Sequence, residues 1–165
     1  MTLNINKEVL LEDIEFATVT DLPKVQNIFK KRFGTNIPNK KYKEAINNKT
    51  LIISKNKNNI DGFTRFNIYS KAKASKELDN YLKEIPSLRN KNILFIGDTA
   101  VNKSNNGIGG NLRKEIESIA KKEKANIITI PWNDKVEKWN IKNGFKIIHS
   151  SNKKLPSSVA IKEIK

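Results

Sequence analysis

Ile93-Leu94-Phe95-Ile96-Gly97-Asp98-Thr99-Ala100-Val101-Asn102-Lys103-Ser104-Asn105-Asn106-Gly107-Ile108-Gly109-Gly110 is the stretch that decides the fold. Ile93 to Ile96 is apolar without alternation, as in a central strand covered on both faces. Asp98 to Asn106 carries that strand into a polar turn. Ile108, Leu112, Ile116, Ile119 and Ala120 then recur at helical spacing and predict an amphipathic helix. The order is buried strand, glycine turn, helix. Glycines 107, 109 and 110 let backbone N–H groups converge on one concavity, with no Cβ to hold an anion away. The helix start adds roughly half a positive charge. Together these make a candidate diphosphate cradle. A P-loop is excluded, because Gly110-Asn111-Leu112 does not supply the required Gly-Lys-Ser/Thr. A dinucleotide fingerprint fits poorly, because its turn follows the first strand of the domain and this one comes late. The plain alternative is a flexible turn with a glycine-tolerant helix start.

Working outward, Asn126 to Pro131 reads as a second buried strand. Val136, Trp139, Asn140 and Asn143 share one helical face, and Gly144 stops that helix. Phe145 to His149 and Val159 to Ile164 read as the final strands. Upstream, Ile14 to Thr18 is extended. Thr20-Asp21-Leu22-Pro23 is a helix start, with Leu22, Val25, Ile28, Phe29 and Phe33 on one face and Gly34 ending it. A second helix is expected over Asn39–Asn47. Leu51-Ile52-Ile53 and Ile60 to Ile68 form a hairpin turning at Lys57-Asn58-Asn59. Ala74, Leu78, Tyr81, Leu82 and Ile85 predict one further helix, closed by Pro86. This order is a mixed α/β (α+β) layer fold. The 165 residues suffice for one domain over 1–165. Residues 1–13 are an N-terminal extension and 70–91 a helical insertion.

Composition narrows the function. No apolar run approaches the ~20 residues that cross a bilayer, and Met1 to Asp13 lacks the order of a signal peptide. There is no Cys and one His, His149. Thiolate metal sites, histidine metal clusters and a Ser-His-Asp triad are therefore not expected, and neither a metal nor a membrane partner is. A cytoplasmic protein fits these absences. The formal charge of +15, from 32 basic and 17 acidic side chains, attracts phosphates, whether of nucleic acid or of a phosphate-bearing small molecule. The lysines are scattered, so charge spread for solubility explains the excess equally well.

The motifs resemble those of the GNAT superfamily of N-acetyltransferases. That family carries, after a central strand, an Arg or Gln, two residues, then Gly-x-Gly or Gly-x-Ala. Here the motif stands as Ser104-Asn105-Asn106-Gly107-Ile108-Gly109. Trp132-Asn133, a helix and Lys142-Asn143-Gly144-Phe145 are similar to the family's asparagine, helix, Gly-Phe segment. Asp21-Leu22 and Asp61-Gly62-Phe63 match its opening helix and second hairpin strand. The resemblance covers Ile14 to Ile164. It implies a mixed central sheet of six to seven strands with a splayed parallel pair, and helices on both faces. It also implies an acetyl-CoA-dependent enzyme, an acyltransferase in which a primary amine attacks the thioester directly. By position, Ala100, Val101 and Asn102 would pair with the pantetheine arm. Asn106, Gly107, Ile108, Gly109, Gly110 and Asn111 would wrap the pyrophosphate, and Asn133 would bond the pantetheine or order the gap. Catalysis would rest on positioning and a backbone oxyanion site.

Three departures from the pattern bear on chemistry. The motif's Arg or Gln is Ser104, leaving Lys103 or Arg113 to supply the phosphate contact. The strand-to-glycine connection is about two residues short if Val101 is the usual strand valine, and Thr99 is the alternative. The tyrosine that commonly protonates the leaving thiolate is Asn140, which cannot act as a general acid. Water, Tyr69 or Tyr81 would substitute. Asp98 is the first candidate general base and His149 the second. Their plain readings are a turn cap and a half-exposed strand residue. Trp139 reads as core. Trp132 is a candidate for lining the acceptor site. Arg65, alternating with Phe63 and Asn67, faces either the acceptor groove or solvent. The acceptor is an amine on a small molecule or a protein. The charge keeps a tRNA- or nucleobase-directed acyltransferase open, and Asn140 keeps an inactive CoA-binding module open. The insertion over 70–91 would shape acceptor choice or a homodimer contact.

Overall fold

The computed structural model describes residues 13–103, 106–151, 153 and 156–165. Most of the N-terminal extension, and Ser104 of the glycine motif, lie outside them. The strands are β1 (Ile14–Phe16), β2 (Leu51–Asn56), β3 (Asn59–Tyr69), β4 (Asn92–Val101), β5 (Ala125–Thr129), β6 (Lys146–His149) and β7 (Ser158–Lys162). The helices are α1 (Leu22–Phe33), α2 (Asn39–Asn47), α3 (Lys71–Glu77), α4 (Asp79–Glu84), α5 (Ile108–Lys122) and α6 (Asp134–Lys142). The seven strands form a mixed sheet in the order β1-β2-β3-β4-β5-β7-β6, in which β4 and β5 are the parallel pair. The chain divides into two compact units: residues up to Asn67 with Gly97–Ile119, and Ile68–Ile96 with Ala120–Lys165.

In the first unit β1, β2 and β3 are antiparallel, with Phe16 opposite Ile52 and Ile52 opposite Thr64. The hairpin turns through Lys57 at φ 54°. Alternation along the strands assigns the two faces. Leu51, Ile53, Phe63 and Ala100 meet Val25, Ile28 and Phe29 of α1 and Tyr42 and Ala45 of α2. Phe29 stacks on Phe63 at 6.5 Å between centroids, and Tyr42 meets Phe63 edge-on at 6.0 Å. The entry to α1 is tied by Asp21, whose Oδ2 accepts from the Thr18 backbone N–H and hydroxyl, both at 2.8 Å. Gly34, at φ 72°, closes the helix as its position after the periodic run predicts.

The other face of this unit receives α5. A Cβ on Gly62 would lie 3.0 Å from Ile108 Cγ2 and 3.0 Å from the Ala100 carbonyl oxygen. The bare backbone at position 62 is what lets the first turn of α5 sit down on β3. Helices thus cover both faces of this unit's strands.

In the second unit the parallel ladder runs from Asn92↔Ala125 to Ile96↔Thr129. β7 lies between β5 and β6 and is antiparallel to both. Its core joins Ala74, Leu78, Leu82, Ile85 and Leu88 to Ile93, Ile128, Val159 and Ile161. Two expectations are corrected. The single helix over Ala74–Ile85 is instead α3 and α4, separated at Leu78, whose φ −111° and ψ 19° leave the helical region. Ala74, Leu78, Leu82 and Ile85 are buried as expected and Tyr81 is half-buried, because each short helix still turns them to the same core. The strand beginning at Ile93 does not give way to a turn at Asp98 but runs to Val101. Thr99 bonds Thr64 through their hydroxyls (3.2 Å) and the Asn102 N–H donates to the Asp61 carbonyl (2.7 Å), so β4 stays alongside β3.

Candidate functional site

The β4–α5 junction carries the glycine motif. Gly107 sits at φ 82°, a left-handed conformation that glycine adopts without strain. Its carbonyl accepts the first intrahelical bond, from the Asn111 N–H at 3.0 Å. The N–H groups of Ile108, Gly109 and Gly110 therefore lie ahead of the helical ladder and have no acceptor within it. Nothing stands within 4 Å of where a Cβ would be on Gly107 or Gly110, and at Gly109 the nearest atom is Val101 Cγ1 at 3.8 Å. No Cβ shields the backbone at Gly107, Gly109 and Gly110. Asn106, Ile108 and Asn111 also line a cavity of about 790 Å³, together with Ser54, Lys55, Asn56, Lys57 and Asp61. One stability test follows. Gly110→Ala meets no neighbour and removes a helical glycine, so it should stabilise the fold by about 0.5 kcal/mol. A melting temperature that falls instead would show that Gly110 is needed for the fold, not for an incoming anion.

The second cluster is built on β4 and was not legible as a cluster. Asp98 Oδ2 accepts from Tyr42 Oη at 2.9 Å and from Arg65 Nε at 2.9 Å. Arg65 is 4% exposed, which rules out the solvated strand face. Its guanidinium carbon also lies 5.8 Å from the centre of the Tyr42 ring. Burial, and then the neighbouring Asp98 charge, push the Tyr42 phenol well above its ordinary range, so it remains a donor. Asp98 keeps 29% of its side chain exposed and is the reachable member of the three. It lies within the strand and is not a turn cap.

Gly97 completes this cluster. A Cβ there would fall 2.2 Å from Arg65 Nη2. Consecutive residues of a regular strand face opposite sides, yet Gly97 and Asp98 both meet Arg65. The long Arg65 side chain spans both positions. Beyond them, Thr99 turns toward Thr64 and Ala100 into the α1–α2 core. Because the Asn102 N–H is taken by Asp61, alternation turns the Ala100 and Asn102 amides toward β3. The amides of Thr99 and Val101 face the opposite edge. Thr99 and Val101, the two register alternatives, thus share the edge away from β3.

Other predicted residues stand on or beside α4, α5, α6 and β6. Asn133 caps α6, its Oδ1 accepting from the Val136 N–H at 2.8 Å. Trp132 beside it is 56% exposed. His149 is exposed at the end of β6, opposite Ser158. Asn140 is fully buried, and neither its Oδ1 nor its Nδ2 has a hydrogen-bond partner among the described residues. Trp139 is half-buried, not core. Tyr81 packs edge-on against Phe95 at 5.8 Å, and burial raises its phenol, which makes it a poorer acid. Arg113 is buried in α5 and burial pulls it down to about 10, against the opposing effect of Glu117. Lys103 is the exposed cation of the turn.

No protein-family model matches the chain, and no curated protein matches it. Solved structures do. A predicted acetyltransferase of Staphylococcus aureus Mu50 superposes with a TM-score of 0.71 at 17% identity, covering 92% of this chain and 99% of that one. Arabidopsis thaliana Naa50, solved with the bisubstrate analogue CoA-Ac-MVNAL, gives 0.61 at 16% identity, covering 90% and 94%. A GNAT-family acetyltransferase of Bacillus cereus gives 0.61 at 17% identity, covering 92% and 97%. With the β4–β5 parallel pair, the glycine-led α5 and β7 inserted between β5 and β6, these likenesses show that the chain has the fold of the GNAT N-acetyltransferases.

Proposed function

We propose that the protein is an acetyl-CoA-dependent N-acetyltransferase. The observation that carries this reading is the run of three N–H groups, at Ile108, Gly109 and Gly110, open at a helix start directly after the central strand. Such a start binds a diphosphate through oriented amides and the helix dipole. Lys103, exposed in the turn, adds a positive charge. Thr99 and Val101 offer strand amides on the edge away from β3 for the amide groups of a pantetheine arm. Acetyl-CoA supplies an acyl group already activated as a thioester. The acceptor nitrogen forms a bond to the carbonyl carbon, the carbon–sulfur bond breaks, and the thiolate leaves. The amine sheds one proton and the thiolate gains one. Asp98 is the base that takes the amine proton. Asn140 cannot donate to the thiolate as an acid, so that proton comes from solvent.

Calorimetry with acetyl-CoA tests the reading, with Gly109→Glu as the comparison. Glutamate fits sterically beside Val101 and suits a helix start, so the variant should fold normally. Its carboxylate repels a diphosphate, and binding should weaken by at least about tenfold. No heat of binding in the parent protein would remove the proposal. With no Cys in the chain, released CoA thiol can be followed with a thiol reagent free of protein background.

The charge of +15 supports a narrower second reading, in which the amine acceptor carries phosphates, as an aminoacylated tRNA does. Retention of tRNA that falls steeply with salt supports it; indifference to tRNA ends it.

A further inference from the structure

Asp98 is bonded by two side chains from distant parts of the sequence. Tyr42 lies in α2, 56 residues away in sequence, and Arg65 in β3, 33 residues away. Both bonds end on the same oxygen, Oδ2. Two donors on one oxygen fix the carboxylate plane and leave Oδ1 engaged by neither. Both donors are buried, and each is itself held. Tyr42 is locked among Phe29 and Phe63. Arg65 lies flat across the bare backbone of Gly97. Nothing in the hydrophobic core of this unit requires a cation at position 65. An aliphatic residue would fill the space between Phe63 and Tyr42 without the cost of desolvating a guanidinium.

We propose that Tyr42 and Arg65 are positioning residues that clamp Asp98 through Oδ2 and so present Oδ1 to the acceptor amine. The inference rests on the acyl-transfer reading for the identity of the amine, but the clamp itself does not. Asp98 shares its face of β4 with Ala100, which lies in the same core as Tyr42, so the carboxylate meets its two donors there. The Tyr42 phenol stays protonated across the working range and so keeps donating. Arg65 pairs with the carboxylate through Oδ2 and leaves Oδ1 outside that bond. The three residues form one unit in which only Asp98 touches substrate.

Two conservative variants test the clamp. Tyr42→Phe keeps the ring and its packing and removes only the hydroxyl. Arg65→Lys keeps the charge but not the planar Nε geometry. Three readouts are needed: acetyl-CoA affinity by calorimetry, kcat and KM for an acceptor amine, and the three-bond couplings across the Asp98 χ1 bond by NMR. The parent protein should show one Asp98 rotamer. In each variant the couplings should average over rotamers and kcat should fall roughly tenfold. Acetyl-CoA affinity should stay within about twofold, because the glycine turn is untouched. A single Asp98 rotamer in both variants would overturn the clamp. So would unchanged kcat in an active enzyme, which would leave the cluster as packing only. If the parent binds no acetyl-CoA, the acceptor role falls with the acyl-transfer reading. The couplings then decide by themselves whether Tyr42 and Arg65 hold the carboxylate.

Discussion

Asp98→Asn should lower kcat by at least about 100-fold while acetyl-CoA affinity stays within about twofold. The carboxamide is nearly isosteric, and its Oδ1 can accept from Tyr42 and Arg65 as the carboxylate does. The fold is therefore kept and the base is lost. Buried Arg65 loses its counter-charge, so the variant should also be less stable. Removing one member of a fully buried pair costs about 3–5 kcal/mol. Asp98 is 29% exposed, and solvent screening brings the expected loss nearer 1–2 kcal/mol. Steady-state kinetics with a saturating amine, run beside calorimetry, separates the two effects. A kcat within threefold of the parent would remove Asp98 from the chemistry and leave His149, the second candidate, in its place.

Gly97→Ala should be the most damaging single-methyl change in the first unit. Its Cβ would overlap Arg65 Nη2 at 2.2 Å and Arg65 Cζ at 2.7 Å. An arginine tip can often swing aside. This one is held by Asp98 and enclosed beside Tyr42, so moving it breaks the ion pair and disturbs an aromatic core. A loss of about 2 kcal/mol is expected. For a chain of this length that is a fall in melting temperature of about 4–8 °C. Turnover should fall with it, since Asp98 loses one of its two donors. A double-mutant cycle with Arg65→Leu assigns the cause. The combined variant should be more stable than the sum of the single losses predicts, because the clash has gone. Strict additivity would show that Gly97 acts through something other than Arg65.

The sequence made some elements plain and concealed others, for physical reasons. The α5 helix was legible because Leu112, Ile116, Ile119 and Ala120 repeat at one period and all are buried. Gly34 and Gly144 were legible as stops because both adopt positive φ, at 72° and 84°. The break at Leu78 was not, since its apolar spacing continues unbroken through two helices that share one core. The Tyr42–Arg65–Asp98 cluster was not legible as a whole. It is assembled by sheet pairing across long separations, and no local spacing encodes it. Two signals could have pointed to it. Arg65 is a cation set between Phe63 and Phe66, where a solvent-facing residue would be unusual. Gly97 interrupts a strand directly before the only carboxylate in it, and a glycine inside a strand commonly marks a bulge or a close approach.

Gly62 governs how low the helix rides. With only hydrogen at that position, Ile108 and Val101 come to rest almost on the β3 backbone. The elevation of the three N–H donors above the sheet is thereby set by an atom that no ligand would touch. Enlarging position 62 by one carbon would lift the whole first turn by a few tenths of an ångström. The donors would keep their mutual spacing and change only their reach. Ligand grip could then be tuned from beneath, through the thickness of the sheet, without altering any group that makes contact.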